Sequence, residues 1–160
     1  MKFIRKKTDL VFYQENFLTI EECNYYIKKS PKLGAGKFLW SQRTVNITNE
    51  PIVKKVIDFF KKELNFTLEC IEATTQNWNV NNISDLHIHN ERGREKTKYN
   101  SLIYLNDNYN GGEFYTKNGI VIKPSVGLLT LFNGQKVWHG VNMVKKNDRH
   151  TLIFWWKNNG

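Results

Sequence analysis

The stretch GIVIKPSVGLLTLFNGQKVWHGV, at residues 119–141, contains three short β-type runs in close succession. These runs are GIVIKP, GLLTLFN and VWHGV, and the turn signal KPSVG separates the first from the second. Further runs of the same kind lie on both sides: FTLECIEATTQNWNV, DLHIHN, YNSLIYLN, GEFYT and HTLIFWW. Many short strands divided by turns such as NDNYNGG and TKNG are typical of a sandwich, a jelly roll or a barrel.

Two helices are predicted before this β-rich part. In LTIEECNYYIKKSPKLG, Thr19 is a candidate helix cap, acidic residues follow in the first turn, and the helix is expected to end near Pro31. In NEPIVKKVIDFFKKELN, Pro51 suits the first helical position, and apolar residues recur at helical spacing. Because the helices precede the strands and do not alternate with them, a parallel sheet is disfavoured. We expect a mainly β fold, a double-stranded β-helix (jelly roll) core with two N-terminal helices packed on one side.

The composition predicts one folded domain spanning residues 1–160. Residues 1–66 would form a helical support and substrate-loop region, and residues 67–157 the jelly-roll core with a metal site. The formal net charge is +9, but the basic residues are spread and form no arginine-rich block, which favours a solvated basic surface. Cys23 and Cys70 form no metal-binding spacing and are expected to be reduced thiols.

The expected location is intracellular. The N-terminal stretch MKFIRKKTDLVF lacks an apolar core of signal-peptide type, and no apolar run approaches membrane-spanning length. We therefore expect a soluble cytoplasmic protein with no membrane partner. The Lys- and Asn-rich composition is typical of an AT-rich genome, which suggests a microbial, viral or phage-encoded source.

Two stretches place ionisable residues in strand-like surroundings: LHIHNE at 86–91 and KVWHGV at 136–141. Alternate residues of a strand share a face, so His87, His89 and Glu91 lie on one side. Buried charge is costly unless it is paired or binds a metal. If His139 joins them, two imidazoles and a carboxylate would form the facial triad of non-haem Fe(II) oxygenases. Two near pairs remain open: His89 with Glu91, or His87 with His89.

The sequence of roughly residues 76–157 resembles the Fe(II)/2-oxoglutarate-dependent dioxygenases, and within them the prolyl 4-hydroxylase-like branch. The similarity extends through LHIHNE, SLIYLNDNYNGGEF and IKPSVGLLTLFNGQKVWHGVNMVKKNDRHTLIFWW. The family's order is H-x-D/E, a Tyr-Leu-Asn strand, Gly-Gly, Pro-x-x-Gly, a Phe-rich strand, a distal His, and then an Arg or Lys. All of these parts are present here in that order.

The resemblance implies that His89, Glu91 and His139 are the iron ligands. The family usually has Asp where this chain has Glu91. A rival alignment takes His87 and His89 as the near pair and leaves Glu91 outside. We prefer the first alignment, because it keeps a carboxylate on the metal and places Leu86 at the apolar position that commonly precedes the motif. His87 would then face the same side and orient the substrate.

The resemblance also implies residues for the co-substrate and the substrate. Arg149, ten residues after His139, falls where the family pairs a basic residue with the far carboxylate of 2-oxoglutarate, and Tyr104 where a tyrosine donates to it. The predicted 2-oxoglutarate site comprises Arg149, Tyr104, Leu102, Val141 and Thr151. The predicted substrate pocket comprises Trp155, Phe114, His87, Arg43 and Trp40.

The implied activity is hydroxylation of a C–H bond, most simply of a prolyl residue in a peptide or protein. Fe(II) would be the cofactor, 2-oxoglutarate and O2 the co-substrates, and ascorbate a candidate reductant. One rival is a nucleic-acid oxidative demethylase of the same fold; that subfamily typically carries a second arginine at the position of Trp155. A catalytically inactive jelly-roll binding module is another rival, which an intact triad with Arg149 disfavours. A hydroxylase of a free amino acid is the third.

Overall fold

The computed structural model describes residues 1–90 and 95–159. The helices are α1 (Ile20–Lys29), α2 (Trp40–Arg43) and α3 (Pro51–Leu64). The strands are β1 (Lys2–Lys6), β2 (Asp9–Gln14), β3 (Thr44–Asn46), β4 (Leu68–Trp78), β5 (Ser84–His87), β6 (Tyr99–Tyr104), β7 (Phe114–Thr116), β8 (Val121–Ile122), β9 (Leu129–Asn133), β10 (His139–Val141) and β11 (Arg149–Asn158).

The strands form two antiparallel sheets. The larger sheet has the order β1-β2-β9-β6-β11-β4-β3, and the smaller has the order β5-β10-β7-β8. Apart from the pairs β1-β2, β3-β4 and β7-β8, neighbours in these orders are not consecutive in sequence, and the chain passes repeatedly from one sheet to the other. The mainly β jelly-roll fold predicted from the sequence is confirmed.

Both predicted helices form where the local signals place them. The Thr19 hydroxyl accepts a hydrogen bond from the Glu22 backbone N–H, and the Glu22 carboxylate accepts one from the Thr19 N–H, which completes a capping box. Pro51 is the first residue of α3, where its missing N–H leaves no hydrogen bond unmade. The segment between these two helices contains the short helix α2 and the strand β3.

The alternation of β11 places two cores on opposite faces of the larger sheet. Leu152, Phe154 and Trp156 pack with α1 and α3 in an outer core, whereas Ile153 and Trp155 point between the two sheets. Because each fully buried side chain of this size contributes about 1.5–3 kcal/mol, the helices are held on the outer face. The space between the sheets contains the second apolar core and the polar residues described below.

The N-terminal hairpin was not predicted. Strands β1 and β2 extend the larger sheet, with Val11 opposite Phe132 of β9. Residues 1–66 thus contribute strands to the larger sheet in addition to the helices expected there. The run DLVFYQ is short, and β9, with which it joins the sheet, lies more than a hundred residues away. No local signal therefore identifies the pairing of β2 with β9. Among the helices that the structure describes, none is long and apolar enough to span a bilayer.

Candidate metal centre and binding cavity

Three histidines meet at the mouth of the jelly roll. His87 is the last residue of β5, His139 is the first of β10, and the strand pairing sets them directly opposite each other. His89 follows β5 by two residues, and its backbone N–H donates to the Gly134 carbonyl at 2.8 Å. One ring nitrogen from each of the three histidines lies within 4.8 Å of the other two, a separation that suits a single metal ion.

Each imidazole is oriented by an acceptor at Nδ1. The partners are the Asp85 carbonyl for His87 at 2.8 Å, Asn100 Oδ1 for His89 at 2.6 Å, and the Val137 carbonyl for His139 at 2.7 Å. Asn100 Nδ2 donates to the Phe154 carbonyl at 3.3 Å, which keeps the amide oxygen towards His89. Because these oxygens only accept, each Nδ1 carries the proton and each Nε2 keeps a lone pair for a metal.

The electrostatics of the cluster fit a cation. His89 Nε2 and His139 Nε2 lie 3.3 Å apart, so two lone pairs face each other. Burial lowers the pKa of His139 to about 3, which keeps this imidazole neutral at physiological pH. Neutral imidazole is a common ligand of Fe(II), Zn(II) and other first-row metals. The donor set therefore fits a divalent transition metal.

The structure describes two of the three predicted metal ligands. His89 and His139 lie together as expected, and His87, expected to orient the substrate, belongs to the same cluster. Glu91 lies outside the described residues, so its membership of the triad stays a prediction. Within the described residues, His87 lies with His89 and His139, so both the preferred pairing and its rival stay predictions.

A cavity of about 440 Å³ opens beside the three histidines. The predicted site residues that line it are His87, His89, Leu102, Phe114, His139, Val141, Arg149, Trp155, Arg43 and Trp40. Tyr104 and Thr151 do not line it, but both are fully buried. Tyr104 lies beside Arg149, and Thr151 lies opposite Tyr104 in the pairing of β11 with β6. The Tyr104 ring lies 5.3 Å from the Arg149 guanidinium carbon, and the Thr151 hydroxyl donates to Gln76 Oε1 at 3.4 Å.

Several lining residues were not predicted: Gln76, Trp78, Asn82, Ile83, Ser84 and Phe132. Two of them follow from strand pairing, since Trp78 lies opposite Arg149 and Gln76 lies opposite Thr151. The period-2 alternation of β4 places Gln76 and Trp78 on one face. That the face meets the cavity depends on the register with β11, which the sequence does not reveal.

Polar groups without partners lie at the inner end of the cavity and in Tyr104, which packs against Arg149 behind the cavity wall. Arg149 is 1% exposed, and its Nε donates to the Gly112 carbonyl at 2.9 Å. Among the described residues, Arg149 Nη2, the Tyr104 hydroxyl and Trp78 Nε1 have no hydrogen-bond partner. Burial raises the pKa of Tyr104, so its hydroxyl remains a neutral donor. Buried donors left unpaired are costly, and a bound carboxylate would satisfy them.

Gly112 makes the position of Arg149 possible. A Cβ at this residue would lie 2.8 Å from the Tyr109 ring and 3.0 Å from Arg149 Cδ, and its φ is +67°. Both the left-handed backbone and the close approach of the arginine stem require glycine here.

Comparisons with protein families and with solved structures agree with each other. The family described as the 2OG-Fe(II) oxygenase superfamily matches residues 75–157. No curated protein sequence matches the chain. Similar solved structures include a viral collagen prolyl hydroxylase from Paramecium bursaria Chlorella virus-1 in a 2OG complex, with TM-score 0.73 and 15% identity over 92% of this chain and 94% of that one.

Two further structures resemble the chain over most of its length. A prolyl hydroxylase from Trichoplax adhaerens, in complex with a hypoxia-inducible-factor peptide fragment, has TM-score 0.72 and 16% identity over 92% of this chain and 83% of that one. A prolyl-4-hydroxylase from Pseudomonas putida has TM-score 0.68 and 16% identity over 96% and 95%. At this identity the likeness establishes a shared fold.

Proposed function

The chain belongs to the 2OG-Fe(II) oxygenase superfamily, and we propose that it hydroxylates a prolyl residue in a peptide or protein. The observation that carries the proposal is the convergence of three imidazole nitrogens on a cavity whose inner end has a buried arginine with an unused donor. The likeness to structures described as prolyl hydroxylases, one of them in complex with a peptide fragment, supports the choice of substrate.

The position of each residue in the cavity determines its proposed role. Bound Fe(II) supplies the activation of O2, with 2-oxoglutarate oxidised to succinate and CO2 as one oxygen atom enters the substrate C–H bond. Arg149 binds the far carboxylate of 2-oxoglutarate as a charged donor, assisted by the Tyr104 hydroxyl. The apolar walls, formed by Leu102, Phe114 and Phe132, exclude water from the metal.

We propose His87, His89 and His139 as the metal ligands. All three imidazoles have their Nδ1 atoms engaged by an acceptor, and their ligand atoms converge. The competing set replaces His87 by Glu91. The two sets differ in charge, because three imidazoles leave the full double charge on the ion, whereas a carboxylate removes one unit of it.

A metal titration separates the two sets. We expect His87→Ala to weaken Co(II) or Fe(II) binding by more than 100-fold, since a direct ligand exceeds the about 10–100-fold effect of an outer-shell group. Glu91→Ala should bind metal nearly as the wild type does. The control is His150→Ala, because His150 is the remaining histidine and lies outside the cluster. Metal binding that survives in His87→Ala and fails in Glu91→Ala would establish the competing set.

The activity is tested in two steps. Anaerobic addition of Fe(II) and then 2-oxoglutarate should produce a visible charge-transfer band that requires both. Proline-containing peptides should then gain one oxygen atom by mass spectrometry, with an equal amount of succinate formed. A band without peptide hydroxylation, together with turnover of a methylated oligonucleotide, would contradict the proposed substrate and support a nucleic-acid demethylase.

A further inference from the structure

The cavity contains a second guanidinium that the proposed mechanism does not use. Arg43, the last residue of α2, lines the same cavity as Arg149 and the three histidines. Its Nε is buried and has no hydrogen-bond partner among the described residues. The structure records no ion pair between Arg43 and any described acidic residue.

Aromatic rings hold Arg43 in place. Its guanidinium carbon lies 5.7 Å from the Trp40 ring centroid and 5.5 Å from that of Trp78. The guanidinium carbon of Arg149 lies at the same 5.5 Å from Trp78, so one indole supports both arginines. Trp40 is in turn in edge contact with Trp155 at 5.8 Å. Stacking of this kind fixes a guanidinium while leaving its N–H groups available.

The charges of the cavity do not cancel. Among the described residues that line it there are two arginines and no aspartate or glutamate. With Fe(II) and 2-oxoglutarate bound, the charges of the ion and of the dicarboxylate offset each other, and both guanidinium charges remain. If Glu91 also reaches the metal, one positive charge still remains. A neutral substrate would leave a partly buried cation without a counter-ion, which is costly.

Resting on the proposed function, we propose that Arg43 binds a carboxylate of the substrate, so that the preferred substrate is negatively charged beside the target proline. A planar guanidinium with free N–H groups matches a carboxylate in a bidentate manner. The Trp78 Nε1–H, also without a partner among the described residues, is a further donor on the same wall. The carboxylate has two sources: an acidic side chain next to the proline, or the terminal carboxylate of a chain that ends in proline.

Three peptides distinguish these sources. The neutral probe is acetyl-Gly-Gln-Pro-Gly-amide, the side-chain probe is acetyl-Gly-Glu-Pro-Gly-amide, and the terminal probe is acetyl-Gly-Gln-Pro with a free carboxylate. Calorimetry measures the Kd of each for the protein loaded with Mn(II) and the 2-oxoglutarate analogue N-oxalylglycine. At least one charged peptide should have a Kd at least about tenfold lower than that of the neutral one, since one charge-assisted hydrogen bond accounts for a factor of this size. Equal Kd values for all three would overturn the proposal.

Variants test whether Arg43 is the group responsible. Arg43→Gln should bring the Kd of the charged peptide to that of the neutral one, and Arg43→Lys should restore part of the difference. Arg5→Gln makes the same change in net charge on the exposed edge strand β1 and should leave the difference intact. A difference lost equally in both glutamine variants would mean that only the overall charge attracts the peptide, and would overturn the proposal.

Failure of the proposed function gives a different pattern. If the charge-transfer band forms but none of the three peptides is hydroxylated, the prolyl substrate is refuted, and this inference with it. If all three are hydroxylated with the same KM, the prolyl substrate stands and only the role of Arg43 is refuted.

Discussion

Gly134→Ala should weaken metal binding, although Gly134 is not itself a metal ligand. A Cβ at this position would lie 2.1 Å from Asn100 Oδ1 and 2.7 Å from His89 Nδ1, the two atoms whose hydrogen bond orients the His89 ring. The φ of Gly134 is not in the left-handed region, so alanine costs nothing in backbone strain. The effect is therefore steric and confined to the pair.

The magnitude follows from the distances. An ordinary contact of about 3.4 Å requires the Asn100 oxygen to move by more than about 1 Å, which breaks its 2.6 Å hydrogen bond with His89. Asn100 is fully buried and His89 is 7% exposed, so neither side chain can move away freely. Loss of such an orienting bond lowers metal affinity by about 10–100-fold, or about 1.4–2.7 kcal/mol.

The assay is a Co(II) titration followed by the visible spectrum, with the free energy of unfolding of the metal-free protein measured in parallel. Gly34→Ala is the matched control, because a Cβ there meets nothing within 4 Å. Asn100→Ala should lose a similar factor, and adding Gly134→Ala to it should cost less than Gly134→Ala does alone, since the shorter of the two close contacts is already gone. Unchanged Co(II) affinity in Gly134→Ala would refute the argument that Asn100 positions His89.

Three further predictions concern other parts of the chain. Arg149→Gln should raise the 2-oxoglutarate concentration needed for half-maximal turnover by about 10–100-fold, measured as succinate formation; an unchanged requirement would place the co-substrate elsewhere. Burial raises the pKa of Cys23 to about 11 and that of Cys70 to about 12, so at pH 8 the folded protein should react with Ellman's reagent on the order of 100-fold more slowly than the urea-unfolded chain. Thr19→Ala removes the cap of α1 and should lower the free energy of unfolding by about 1 kcal/mol in urea denaturation, whereas no loss would mean that the capping box is not formed in solution.

Local patterns predicted the elements that depend on neighbouring residues. Thr19 and Pro51 place the starts of α1 and α3. A capping hydrogen bond joins residues three apart, and proline lacks only an N–H that the first helical turn leaves unpaired. Alternation along β11 places Arg149 and Trp155 on the face between the sheets, because the side-chain period of a strand is two. The alternation of His87 and His89 placed these two side chains on one face, whereas their assignment to a metal site came from the resemblance to a family.

Which histidines meet was decided only by the tertiary structure. Sequence spacing placed His87 on the same face as His89, and the ladder between β5 and β10 sets His87 directly opposite His139. The same holds for Trp78, which faces Arg149 only because β4 and β11 pair in one register. A shift of one residue would turn every side chain of a strand to the other face. Register between distant strands is set by the packing of the whole core, and a local stretch of sequence does not contain that information.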